Sequence, residues 1–222
     1  MPSPSGRGFA RARRSDAPRV ALLLDERVLD STEMVARDSE PKVSFADYLA
    51  IDEASALKHE YIDGVVYAMS GGSPAHARIA MNIGAELRAQ LVGKRCAVFG
   101  SDLRVRVLAT GLATYPDVTV ICGTLEVAAD DAHGATNPTV LIEVLSPSTE
   151  KHDREVKYQH YRRIPSLRVY VLVSQDERSV TVYMRNADES WTLRDVSVGK
   201  AHLPSIDCTL DLDAIYADPL GE

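Results

Sequence analysis

The chain has 222 residues, of which 45% are hydrophobic and 26% charged, enough for one or two soluble domains with an ordinary supply of core-forming side chains. Its formal charge of −7 argues against a large polyanion held permanently, but not against an enzyme that releases its product and needs only a local basic lining. No run of about 18 apolar residues exists to span a membrane. The widely spaced Cys96, Cys122 and Cys208 form no CxxC pair, which gives a zinc ribbon no support and suits unpaired thiols in a reducing cytoplasm.

Residues 1–42 are rich in Ser, Pro, Arg and Ala and show no sustained period. They read as a disordered arm, or as an extension ahead of a start at Met34. The short apolar run Val20–Leu24 is closed by Asp25 and Glu26, too soon for a signal-peptide core. Residues 43–217 read as a single α/β domain.

Within it, Ser44 caps a first helix with Phe45, Tyr48 and Leu49 at helical spacing. His59 to Tyr67 carries Asp63-Gly64 between two β-rich runs, a hairpin signal. Ser73-Pro74 opens a second helix, with Ile79, Ile83, Leu87 and Leu91 on one face and Gly93 as its stop. A strand follows at Asp102–Val107, alternating so that Leu103, Val105 and Val107 face a core and Arg104 and Arg106 face outward. Thr114–Ile121 reads as the next strand and Cys122–Pro138 as a loop. Thr139–Leu145 is apolar except for Glu143, the pattern of a central strand covered on both faces.

A third helix is expected from Ser146 to about Arg163, ended by Pro165. Leu167–Val173 then gives another core strand, and Ser179–Met184 with Trp191–Val196 an accessory pair. The tail through Leu203, Ile206, Leu210, Leu212 and Ile215 reads as a short closing helix. The order predicts an α/β sandwich, a mixed β-sheet flanked by helices.

The chemistry starts from Glu143. A carboxylate inside an apolar strand is costly without a compensating cation. Asp117 repeats the pattern in Tyr115-Pro116-Asp117, where Pro116 interrupts regular pairing and opens the strand end. If the two strands are neighbours, the carboxylates converge and repel, and a hard divalent ion resolves that conflict. Mg²⁺ fits, since it accepts one or two carboxylates together with waters and phosphate oxygens.

Pro116-Asp117 followed by Glu143-Val144-Leu145 resembles the PD-(D/E)xK nuclease signature. Glu60-Tyr-Ile-Asp-Gly64, His76, Tyr115-Pro-Asp117, Ile142-Glu-Val-Leu-Ser-Pro-Ser-Thr149 and the Asp153, Lys157, Tyr161 spacing together resemble the Uma-two family of restriction-type endonucleases, from about Val43 to Tyr216. The resemblance implies a restriction-endonuclease-like core (α-β-β-β-α-β) with accessory hairpins. It also implies a DNA substrate and Mg²⁺, with Mn²⁺ as a substitute, held by Asp117, Glu143 and the Val144 carbonyl. The usual lysine is missing, because Leu145 stands in its place, and Lys157 on the following helix is the substitute.

Other roles stay open at this stage. Glu60 is either a further acidic group of the site or a strand-surface residue. His76 either meets phosphate or is structural. Asp153–Lys157 is either catalytic or a surface ion pair, and Tyr161, on the same helix face, is a candidate substrate contact. Arg104 either lines a phosphate path or merely solubilises, and Asp102 reads as a turn residue. A homodimer would let two sites cut two strands. The lack of a sequence-reading motif leaves room for a separate targeting protein, or for a non-catalytic module that keeps the fold.

Overall fold

The computed structural model describes residues 42–221. The expectations for the N-terminal arm, residues 1–41, lie outside them. Helix α1 (Phe45–Ala54) begins where Ser44 accepts a hydrogen bond from the Asp47 amide. Strands β1 (His59–Ile62) and β2 (Val65–Ala68) form the expected hairpin, with Asp63 and Gly64 at positive φ in its turn. Helix α2 (Pro74–Gln90) has Ser73 as its cap and Pro74 in its first turn. Ile79, Ile83, Leu87 and Leu91 are all buried on its inner side; each is worth about 1.5–3 kcal/mol relative to an exposed position.

After α2 come β3 (Cys96–Gly100), β4 (Arg104–Val107), β5 (Leu112–Thr114), β6 (Val118–Cys122), β7 (Val127–Ala128), β8 (Asp131–Ala135) and β9 (Val140–Leu145). The expected single strand over 114–121 is therefore two, because the chain changes sheets at Tyr115-Pro116-Asp117. The expected loop over 122–138 contains β7 and β8. Instead of one regular helix after β9, a π-helical segment (His152–Lys157) runs into α3 (Tyr158–Tyr161). Strands β10 (Val169–Ser174), β11 (Val180–Arg185) and β12 (Trp191–Val196) follow. The tail departs from a closing helix: β13 (Lys200–Leu203), a 3₁₀ turn (Pro204–Ile206) and β14 (Cys208–Asp211) precede the short α4 (Leu212–Ile215).

The strands make two six-stranded sheets and a ribbon. The main sheet runs β12-β11-β10-β9-β6-β3, the second β2-β1-β5-β4-β8-β7, and β13 pairs with β14. In the main sheet β9 and β10 are parallel and the other neighbours antiparallel. Alternate residues of β9 part to opposite faces. Val140, Ile142 and Val144 join α2, the ribbon and α4 in one core. Leu141 and Leu145 join Tyr161, Ile164 and the second sheet's Ile62, Val105, Val107 and Leu112 in another. Both faces of the strand are thus covered, as its apolar run predicted.

Two expectations are corrected here. Arg104 and Arg106 do not face solvent: they are only 4% and 5% exposed, because α1 covers that face of the second sheet. Phe45 lies under the Arg106 guanidinium at 3.3 Å. Arg104 binds Asp131 through Nε and Nη2 at 2.8 and 2.7 Å, and donates from Nη1 to Asp52 and Tyr115. Gly134 belongs to this cluster, since a Cβ there would collide with the Asp131 carboxylate and the Arg106 stem. Arg104→Ala should cost about 3–5 kcal/mol by stranding two buried carboxylates. The readout is the urea midpoint, and a loss under about 1 kcal/mol, typical of an exposed pair, would show that water already reaches the network. The second correction concerns the thiols: Cys96 and Cys122 sit opposite one another on β3 and β6 and are joined as a disulfide, leaving Cys208 free and buried. Among the described residues no helix is long and apolar enough to cross a membrane.

Candidate active site

The site is assembled between the two sheets. The β6–β9 register pairs Val118 with Ile142, so one step further sets Asp117 opposite Glu143. The next step would bring Pro116 beside Val144, but the chain has by then left the sheet. The freed Val144 amide donates instead to Asp117 Oδ2 at 2.7 Å. The proline break thus converts a ladder position into a carboxylate fixed at the end of β9.

Glu143 shares the inner face of β9 with Leu141 and Leu145 and is 3% exposed. Its Oε1 accepts a 2.8 Å hydrogen bond from the Tyr161 hydroxyl and lies 3.3 Å from Lys157 Nζ. Glu60 approaches from the second sheet. The β1–β5 pair Tyr61–Ala113 sets Glu60 opposite Thr114, whose hydroxyl donates to Glu60 Oε1. The π-helical segment supplies the rest. Its i,i+4 residues Asp153 and Lys157 both turn inward and are 2% and 6% exposed. Lys157 Nζ reaches Glu60 Oε1 at 2.9 Å and Asp153 Oδ1 at 3.1 Å. One ammonium therefore meets three carboxylates from three different elements. Local π-helix is a recurrent feature of functional sites, and Asp153–Lys157 is not a surface pair.

The electrostatics follow from that imbalance. Burial pushes the Glu143 carboxyl well above the usual range; Asp153, Asp117 and Glu60 add to the rise, and Lys157 opposes it. Burial also works against ionised Glu60, but the Lys157 charge, the nearby His152 and the hydrogen bonds from Thr114 and Lys157 hold it down at about 2. Lys157 keeps its proton: burial disfavours the charge, but Asp153, Glu143 and Glu60 together raise it well above an ordinary lysine. The cost of the excess negative charge thus falls on Glu143, the carboxyl whose ionised form the fold disfavours most.

His76, in the first turn of α2, puts Nε2 3.2 Å from Asp117 Oδ2. The Asp117 hydrogen bond raises its pKa against the effect of burial. The imidazole lies against the same Asp117 oxygen that the family resemblance implies for a metal. Among the described residues no three His, Cys, Asp or Glu side chains form a ready-made cage, so an ion held here draws on two carboxylates, a carbonyl and water.

Asp117, Glu143, Val144, His76, Glu60, Lys157 and Tyr161 are thus brought into one connected group. Tyr161 is completely buried and braces Glu143, which corrects the expectation that it touches substrate. Arg104 stands apart in its own ion-pair network and lines no phosphate path. Asp102 is an exposed turn residue paired with Lys58. The sequence reading missed His152, whose Nε2 lies 3.6 Å from Glu60 Oε2 and whose ring nitrogens are buried without a hydrogen-bond partner. It also missed Thr114. His152 directly precedes Asp153, yet nothing in an exposed-looking polar stretch shows that a π turn will face it inward.

Residues 45–213 match the Uma2 family, described as putative restriction endonucleases. The uncharacterized Synechocystis proteins slr1290 and sll1609 are 36% and 31% identical over 177 and 151 residues, covering 79% and 68% of this chain and 92% and 85% of their own. A crystal structure of a putative nuclease belonging to DUF820 from Anabaena variabilis superposes with a TM-score of 0.60 at 18% identity, over 73% of this chain and 91% of that one. The match to the family and to full-length relatives makes this chain a member of the Uma2 family of putative restriction endonucleases, with a nuclease fold.

Proposed function

We propose that the chain is a divalent-metal-dependent endonuclease that hydrolyses DNA phosphodiesters. The observation that carries this reading is the buried excess of negative charge around one ammonium, with Asp117 across the strand pair from Glu143. Such an excess is costly unless a further cation joins it. The donors are oxygens, and a site of two carboxylates and a carbonyl suits Mg²⁺, which retains waters in its remaining positions; Mn²⁺ is the natural substitute. DNA as the substrate follows the family's description as restriction endonucleases.

In this reading Asp117, Glu143 and the Val144 carbonyl hold the ion, and His76 flanks it from α2, within reach of a phosphate. A bound ion would supply Lewis acidity at the phosphate and a more acidic water. Lys157 stays protonated, so its part is electrostatic: it orients Glu143 and Glu60 and favours their ionised forms. Glu60, His152 and Tyr161 are positioning residues, acting through Lys157 or Glu143. This arrangement replaces the missing lysine at Leu145 with an ammonium delivered from the next helix.

The test is direct. Purified chain incubated with supercoiled and linear DNA should nick or cut in Mg²⁺ or Mn²⁺ and be silent in EDTA. Failure to cut any DNA form with either ion, or cutting that survives EDTA, would overturn the assignment and leave a non-catalytic module with a nuclease fold.

A further inference from the structure

The turn of α3 that sends Tyr161 inward sends its neighbours out. His160, Arg162 and Arg163, with Thr110 of the β4–β5 turn and Glu189 and Trp191 of the β11–β12 hairpin, line a cleft of about 530 Å³. That lies within the roughly 300–1,000 Å³ range of small-molecule sites. It is separate from the catalytic group, since Lys157 and Tyr161 face the sheet whereas Arg162 and Arg163 are exposed.

The cleft wall carries two consecutive arginines. Arg78, Arg104, Arg106, Arg154, Arg178 and Arg185 are each ion-paired. Arg162, Arg163 and the nearby Arg168 make no ion pair among the described residues, as is also true of Arg88, Arg95 and Arg194, but Arg162 and Arg163 converge on one cleft in a chain that carries seven surplus negative charges. Their field is felt locally: burial lowers the pKa of Arg185, and Arg168 and Arg162 lower it further against the pull of Glu189. Glu189, the acid in the cleft wall, is occupied at 3.2 Å by Arg185. Arg162 and Arg163 sit at a helix C-terminus, where cations are favourable, but that alone does not gather them beside an indole. Trp191 lies perpendicular to Tyr158 at 6.0 Å with the Arg185 guanidinium over its ring, and forms one wall.

Guanidinium groups are suited to the two-pronged capture of phosphate, and an aromatic wall beside them to a nucleobase. We propose that this cleft is a second binding site, for a phosphorylated nucleotide, in which Arg162 and Arg163 take the phosphate and Trp191 the base. The ligand is either a free nucleotide or a nucleotide of a polynucleotide chain. The site stands whether or not the catalytic group cuts DNA.

Trp191 is the single tryptophan of the chain, so its fluorescence reports this cleft alone. Full-length protein in EDTA, where no turnover occurs, is titrated with dAMP and with a short single-stranded oligonucleotide. A saturable change is expected, weakened about tenfold or more by Arg162→Glu and by Arg163→Glu, both at exposed positions. Arg88→Glu, which alters net charge equally at an exposed position of α2, should leave it unmoved. Response to dAMP as strong as to the oligonucleotide assigns a free nucleotide; response to the oligonucleotide alone assigns a polynucleotide. No saturable response to either, or one indifferent to both reversals, overturns the site. A dAMP response in a protein that cuts no DNA would retain this site while removing the nuclease assignment.

Discussion

Glu143→Gln and Asp117→Asn are each expected to lower DNA cleavage by at least about 10²-fold, the scale on which removing one essential electrostatic group acts, and Glu143→Gln to do so without loss of the fold. The glutamine keeps the shape of a fully buried side chain and can still accept from Tyr161. What it removes is a charge that the folded protein resists. Burial first, then Asp153, Asp117 and Glu60, raise the folded pKa of Glu143 above its ordinary 4.5. A carboxyl raised in this way binds its proton more tightly folded than unfolded. Its stabilisation is complete below the ordinary value and is lost as pH rises through the folded one.

The wild type in EDTA should therefore fall progressively behind Glu143→Gln as pH rises above about 4.5, followed by urea denaturation at stepped pH. A divalent ion should reverse the order. Mn²⁺ at about 100 times its Kd would add about 2.7 kcal/mol to the wild type and little to either variant. Parallel stability at every pH, with no response to Mn²⁺, would mean that Glu143 carries its charge at no cost and needs no ion, and the proposed chemistry would go with it.

The same carboxylate shows what could be read from the sequence. Glu143 announced itself because β9 is otherwise apolar, and Asp117 because Pro116 precedes it; both signals are local, and pairing of β6 with β9 delivers the geometry they imply. The caps of α1 and α2, the Asp63-Gly64 turn and the buried stripe of α2 were equally local. Arg104 and Arg106 were misread because alternation fixes only which residues share a face. That α1 would cover the polar face, with Asp52 and Asp131 ready to pair, is a tertiary fact. Strand β8, Asp-Ala-His-Gly-Ala, lacks the β-branched residues that mark strands; its ladder to β4 runs beside the Arg104–Asp131 bond. The disulfide was hidden for the same reason, since 26 residues separate Cys96 from Cys122 and only strand register sets them face to face. Within the site, the π turn was the least legible element, because a six-residue widening of a helix leaves no periodic trace; that Asp153 and Lys157 share a face was legible from their spacing, but that this face is buried was not.

Lys157→Met tests whether that turn serves the chemistry or only the fold. Deleting the ammonium leaves Glu60, Asp153 and Glu143 without their shared cation, which should cost about 3–5 kcal/mol. The loss has a pH signature opposite to that of Glu143. Glu60 is held at about 2 chiefly because Lys157 outweighs its burial, and a depressed carboxyl lends stability that is present above its ordinary value and lost as pH falls toward the folded one. The gap between wild type and Lys157→Met should be widest near neutrality and close between about pH 4.5 and pH 2. Mn²⁺ should return part of the stability, since any cation relieves the crowding, but not the cleavage, because a loosened Glu143 no longer presents its oxygen in register with Asp117. If Mn²⁺ returns both, Lys157 is a counter-ion and nothing more, and the ammonium from the π-helical segment cannot be the substitute for the lysine that Leu145 displaced.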